Sequence, residues 1–143
     1  EFLSARGATA VISPDALGTK PVAQARWSGG IDAAGGPVLP RMLSGMDRDG
    51  VVASIGNAAG NELSMTVLPF ILRGVTVTGI NADSPMDTRH RIWRRLATDL
   101  KPAGLADWAA QISLEEAPAS MARMLAGQTT GRILVAFDAA AGT

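Results

Sequence analysis

Three short apolar runs, each closed by glycine, set the pattern of the chain: Ile31-Asp32-Ala33-Ala34-Gly35-Gly36, Val51-Val52-Ala53-Ser54-Ile55-Gly56-Asn57 and Val75-Thr76-Val77-Thr78-Gly79-Ile80-Asn81. Short runs rich in β-branched residues predict buried parallel strands. The stretches between them suit the crossover helices that parallel pairing requires. Val38-Leu39-Pro40-Arg41-Met42-Leu43 fits a short helix ahead of an Asp47-Arg48-Asp49-Gly50 turn, and Leu68-Pro69-Phe70-Ile71-Leu72-Arg73 fits another, closed by Gly74. Upstream, residues 1–8 read as the last turn of a helix capped by Gly7, running into a β-prone Thr9-Ala10-Val11-Ile12. Ser13-Pro14-Asp15 turns the chain, residues 17–26 are polar enough for a loop or short helix, and Trp27-Ser28-Gly29-Gly30 leads into the first strand.

The second half changes period. Ser84-Pro85-Met86-Asp87 combines a serine cap, proline at the first helical position and an early acid. The helix it opens carries an apolar stripe of Ile92, Trp93, Leu96 and Leu100, and Pro102 ends it. Arg89, Arg91, Arg94 and Arg95 share the other face. Ser113-Leu114-Glu115-Glu116 repeats the capping pattern ahead of Met121, Met124 and Leu125, with Gly127 as the stop. Gly131-Arg132-Ile133-Leu134-Val135-Ala136-Phe137 predicts a further strand, and residues 138–143 a loose tail.

Composition narrows the chemistry. The 143 residues are 47% hydrophobic and 18% charged, with Lys+Arg and Asp+Glu both at 13. Such a balance creates no field for nucleic acid or anionic membrane, and favours a neutral small-molecule or protein-binding role. The chain has no cysteine, which removes disulfides, thiolate nucleophiles and zinc-thiolate sites together. The lone His90 and the scattered carboxylates make no metal cluster. No apolar run has the length of a membrane span and no basic-then-apolar leader opens the chain, so a cytoplasmic location is the expectation. Ser4, Ser28 and Ser54 have no companion acid and base for nucleophilic catalysis.

IDAAGGPVL, GVVASIGNAAG, TVLPFILRGVTVTGINADSPMDTRHRIWRRLATDLKP and GRILVAFD, in this order and spacing, resemble the carboxyl-terminal part of the medium-chain dehydrogenase/reductase superfamily. The branch most similar is that of zinc-independent acrylyl-CoA reductases and YhdH-type quinone oxidoreductases, and PFILRGVTVTGI followed by RHRIWRRL and DLKP is the specific part. Nearly the whole chain is covered. The resemblance implies an α/β fold, a partial Rossmann-type parallel sheet with flanking helices. Residues 1–84 would be the carboxyl-terminal part of the NAD(P)-binding domain, and residues 85–143 a bridging helix and a segment returning to a GroES-like catalytic domain. No GxGxxG turn for the cofactor pyrophosphate occurs in the chain, so the sequence reads as part of a longer enzyme.

The strand exits carry the site that the resemblance implies. Glycines at Gly35, Gly36 and Gly56 would let a flat ligand approach the backbone, and Asn57 and Asn81 would offer amide hydrogen bonds. In the family these exits line the nicotinamide and its ribose, which assigns NADPH binding to Ala34 and Gly35, to Ile55, Gly56 and Asn57, and to Ile80 and Asn81. Without the resemblance, the same glycines read as turn punctuation. Ser54-Ile55 departs from the Ala-Cys common in relatives.

Arg89, in the first turn of the helix after the third exit, is the candidate for substrate phosphates; Arg91, Arg94 and Arg95 fit a solvated face. His90 reads as a surface histidine rather than a proton donor. Trp27, Trp93 and Trp108 read as packing residues.

The third strand has a second implied use, because in the superfamily its counterpart pairs with a two-fold mate. Val75, Thr76, Val77 and Thr78 carry no charge or proline against such pairing, which predicts a homodimer. The function implied is an NADPH-dependent oxidoreductase reducing an activated double bond, of an enoyl thioester such as acrylyl-CoA or of a quinone. No residue of the chain is assigned as acid or base. The alternative is a truncated, non-catalytic Rossmann module that dimerises without productive cofactor binding.

Overall fold

A computed structural model describes residues 2–137. Glu1 and the tail expected over 138–143 lie outside the described residues. The chain divides into two units, residues 3–84 and residues from 85 onward, the latter with Phe2.

The first unit is built on a parallel sheet. Strands β1 (Trp27–Asp32), β2 (Met46–Ser54) and β3 (Thr76–Gly79) lie in the order β1-β2-β3, with helix α1 (Val38–Ser44) and helix α2 (Leu68–Arg73) in the two crossovers. Right-handed crossovers that advance in one direction place their helices on one face of the sheet. Leu39 and Leu43 of α1 accordingly meet Met46, Val52 and Val75 in one buried cluster, flanked by Trp27, Met42, Met65, Phe70 and Val77.

The opposite face follows from the period of two. Ile31, Val51, Thr76 and Thr78 project there and are exposed, Ile31 to 71%. Parallel sheets are ordinarily covered on both faces. Here the helices of one winding direction cover one face.

Several boundaries differ from expectation. The first strand covers Trp27-Ser28-Gly29-Gly30 and stops at Asp32, so residues 33–36 lie beyond it, with Gly35 in an isolated parallel bridge to Gly60. Gly30 sits against the Met42 thioether, which would be too close for a Cβ, and this explains glycine inside a strand. The Asp47-Arg48-Asp49-Gly50 turn is a bulge within β2: the partners of Trp27 and Gly29 are Met46 and Val51, and Asp49 takes φ 57° in the left-handed region. Thr9-Ala10-Val11-Ile12 forms no strand, and Val11 and Ile12 are exposed. A β-prone run needs a ladder partner, and none lies beside this one among the described residues.

The amino-terminal turn matches its reading. A 3-10 turn over Ser4–Arg6 ends at Gly7 with φ 94°, whose N–H donates to the Ser4 carbonyl. A second over Pro14–Leu17 is capped by Ser13 Oγ, which accepts from Asp15 N–H. The Arg73 guanidinium at the end of α2 ties the unit together. It donates to the carbonyls of Ala23 (2.6 Å), Met46 (2.7 Å) and Ser44 (3.1 Å).

The second unit holds helix α3 (Met86–Ala97), strand β4 (Ala109–Ser113), helix α4 (Ala117–Leu125) and strand β5 (Arg132–Ala136), the two strands being parallel. Ser84 does not cap α3: Pro85 holds the cap position and Ser84 Oγ donates to the Asn81 carbonyl at 2.7 Å. Helix α3 stops at Ala97, short of Leu100, where the Thr98 hydroxyl donates to the Arg94 carbonyl. Ser113 does not cap α4 either: it ends β4, Glu116 holds the cap position, and the Glu116 carboxylate accepts from Ser113 N–H at 2.8 Å. The stripe of Ile92, Trp93, Leu96 and Leu100 is exposed along its whole length. Trp93, at 63% exposure, is therefore no packing residue within this chain, whereas Trp27 packs over Gly45 and Trp108 is half-buried. In β5, Ile133 and Val135 are half-buried and Leu134 is exposed, as is Phe137 just past the strand.

Candidate functional site

The last paired row of the sheet is Asp32, Ser54 and Gly79, so the three strands end level with one another. Their exits therefore leave the same carboxyl edge side by side. Backbone bonds continue the ladder past that edge: Ile55 N–H donates to the Asp32 carbonyl at 2.8 Å and Ile80 N–H to the Ser54 carbonyl at 2.9 Å. The second exit is also zipped to the first, with Ala58 N–H on Ala33 O (3.3 Å) and Ala59 N–H on Ala34 O (2.7 Å).

This zipper explains the glycines, and it corrects the expectation that they make room for a ligand. A Cβ on Gly35 would meet the Gly60 carbonyl oxygen, one on Gly36 would lie 2.5 Å from Ala59 O, and one on Gly56 would lie 2.8 Å from Ala33 O. Their missing side chains let one exit close against another. Gly35 and Gly36 also hold φ of 62° and 47°, which favours glycine independently. Gly79 is different: nothing lies within 4 Å of a Cβ placed there.

A buried carboxylate braces the first two exits. Asp32, 1% exposed, accepts from the N–H groups of Ala34 (3.1 Å) and Gly35 (3.0 and 3.2 Å), and from the Ser54 hydroxyl (3.3 Å). Three donors converge on it and each is neutral. Sequence reasoning included Asp32 in the first run without giving it a role. An acid at the end of an apolar strand and immediately before a glycine turn is the signal that could have found it, since such side chains accept from the N–H groups two and three residues on.

Ala34, Gly35, Ile55, Gly56, Asn57, Ile80 and Asn81 thus come together along one edge. Ile55 and Ile80 are half-exposed, at 52% and 53%, and the side chains of Asn57 and Asn81 are exposed beside them. Asn81 Oδ1 accepts from Asp83 N–H at 2.9 Å, so its amide NH2 is what it can offer a ligand. Two half-exposed apolar side chains and two exposed carboxamides share this edge. No glycine-rich pyrophosphate turn accompanies them. The edge is an open ledge; a separate groove of about 640 Å³ lies behind it, lined by Lys20, Gly36, Arg41, Gly60 and Met65 among others, and none of the seven ledge residues faces it.

Arg89 is exposed in the first turns of α3, in the second unit. Arg91 and Arg94 on the same helix are exposed, as is His90. Arg95 holds Asp99 through two bonds of 2.7 and 3.0 Å, and this guanidinium lowers the Asp99 pKa below the ordinary aspartate value. Among the described residues no group of acids and histidine is arranged to hold a metal ion, and no helix is long and apolar enough to cross a membrane.

No protein-family model matches the chain. Individual proteins do. YhfP of Bacillus subtilis, named as a quinone oxidoreductase, is 39% identical over 140 residues, covering 94% of this chain and 42% of YhfP. The acrylyl-CoA reductase AcuI of Ruegeria pomeroyi is 36% identical over 143 residues, covering 97% of this chain and 43% of AcuI. Among solved structures, Escherichia coli K-12 YhdH with bound NADPH superposes with a TM-score of 0.85 at 37% identity, over 94% of this chain and 42% of YhdH. The chain therefore spans less than half the length of these relatives, and in sequence and fold it is similar to the carboxyl-terminal part of their branch of the medium-chain dehydrogenase/reductase superfamily.

Proposed function

We propose that the protein carrying this chain is an NADPH-dependent oxidoreductase that reduces an activated double bond, and that the chain supplies the nicotinamide side of its site. The observation that carries this reading is the ledge of three level strand exits, in a chain that superposes on YhdH, a relative crystallised with NADPH. Open parallel sheets bind ligands beyond the carboxyl ends of their strands. Ile55 and Ile80 pack the ring and Asn57 and Asn81 bond its carboxamide and ribose, while Ala34 and Gly35, whose N–H groups are bonded to Asp32, and Gly56, packed on Ala33, shape the turns beneath it. The pyrophosphate is held by residues outside this chain.

NADPH, when bound, would supply hydride to the β-carbon of an enoyl thioester such as acrylyl-CoA, or to a quinone, with a proton from water or a side chain completing the reduction. The ledge orients the reacting ring, and its apolar side chains keep water from it. Arg89 is the candidate for phosphates of a coenzyme A substrate. The active form is a homodimer joined along β3, whose outer edge is free among the described residues. Val75 is buried in its own core, which removes its side chain from that interface.

The second reading, a Rossmann module that dimerises without productive cofactor binding, is favoured by the absence of a GxGxxG turn from the chain. Titration of the complete gene product with NADPH, followed by acrylyl-CoA or a quinone, separates the two. Saturable binding and substrate-dependent loss of nicotinamide absorbance are expected. A folded dimer that binds no cofactor would leave the module.

A further inference from the structure

We propose that Asp32 is a positioning residue that shapes the nicotinamide-facing turn and that its buried negative charge favours the cofactor in its oxidised, cationic form. The inference rests on reading the strand exits as the nicotinamide side of an NADPH site.

The geometry carries two separate effects. First, Asp32 accepts the N–H groups of Ala34 and Gly35, so it fixes the backbone of the first exit, and it accepts the Ser54 hydroxyl, so it joins the first exit to the second. Second, every one of these partners is a neutral donor. A carboxylate with three donors and no acceptor among its partners is in its acceptor-only, ionised arrangement. Among the described residues no cation touches it. Backbone and hydroxyl dipoles stabilise the charge locally but do not cancel its field, and a group 1% exposed is little screened by water.

That field acts at the edge where the exits meet. The nicotinamide ring is neutral as NADPH and positive as NADP+, so a fixed negative charge beside it binds the oxidised form more strongly. Hydride departure creates the same positive charge, and the carboxylate favours it for the same reason. Asp32 touches neither cofactor nor substrate in this account; it acts through the turn and through its field.

The test compares dissociation constants of the complete gene product for NADP+ and for NADPH by calorimetry, in the wild type, in Asp32→Asn and in Ser54→Ala. Asparagine keeps an acceptor for the Ala34 and Gly35 N–H groups and can donate to Ser54, so the fold, checked by circular dichroism and melting, is retained. Asp32→Asn is expected to weaken NADP+ relative to NADPH by about three- to tenfold. Ser54→Ala keeps the charge and leaves the ratio within about twofold of wild type. Equal weakening of both cofactors, no weakening, or a Ser54→Ala ratio shifted as far as that of Asp32→Asn overturns the proposal. If Asp32→Asn does not fold, Asp32→Ser, which also removes the charge, takes its place: the same shift in ratio sustains the proposal and an unshifted ratio overturns it. A wild type that binds neither cofactor instead removes the functional reading on which the inference stands.

Discussion

A methyl group on Gly35 would run into the Gly60 carbonyl oxygen and would have to hold φ at 62°, while the same methyl on Gly79 would meet nothing within 4 Å. Two glycines at the exits of β1 and β3, the outer strands of the sheet, thus do different work. Gly35→Ala is expected to lose about 2–4 kcal/mol of stability, from backbone strain plus overpacking, in urea denaturation. Gly79→Ala should stay level or gain up to about 1 kcal/mol, because the substitution restricts the unfolded chain and clashes with nothing. Equal losses at both positions would contradict the account of the zipper. At this scale the sequence marked where the turns are. It did not show whether the space beside each glycine is filled by protein or open to a ligand, because that space is defined by residues some twenty positions away, on the neighbouring exit.

The elements were largely legible. The strand at β3, the helices α1, α2 and α4, and the parallel crossovers all follow from apolar period and glycine or proline stops, which are local signals. Where the reading missed, a contact across elements intervened. Ser84 leaves the cap of α3 to bond the Asn81 carbonyl, and Gly29 and Gly30 are drawn into β1 by pairing with Val51 and Val52.

Helix α3 also gives a pH prediction at this scale. Arg95 lowers the Asp99 pKa, and a depressed carboxylate contributes stability at pH values above its unfolded pKa, which is lost as pH falls through the folded one. Carbon-detected titration should place the Asp99 midpoint below the ordinary aspartate value and return it upward in Arg95→Ala. Both partners are exposed, so added salt should narrow the difference. A midpoint indifferent to Arg95 would show that the pair does not persist in solution.

For the molecule as a whole, the uncovered surfaces are the telling feature. One face of the parallel sheet is bare, the stripe of α3 is exposed, and β3 has a free edge among the described residues. On the proposed dimer, Thr76→Lys together with Thr78→Lys places like charges at that edge. The protein should then shift from dimer to monomer in light scattering at micromolar concentration, with its secondary structure kept. A dimer unaffected by both lysines would move the interface elsewhere.

The hydrophobic pattern alone determined the α/β class, the strand count of the first sheet and the identity of the residues at its exits, because period and glycine stops are properties of neighbours along the chain. The family likeness followed from motifs written in the same local order. Tertiary structure alone decided that those exits end level, that Gly35, Gly36 and Gly56 are consumed in packing, and that Asp32 is buried under neutral donors. Those facts depend on register between strands and on which backbone fills a given space, and residues distant in sequence fix both.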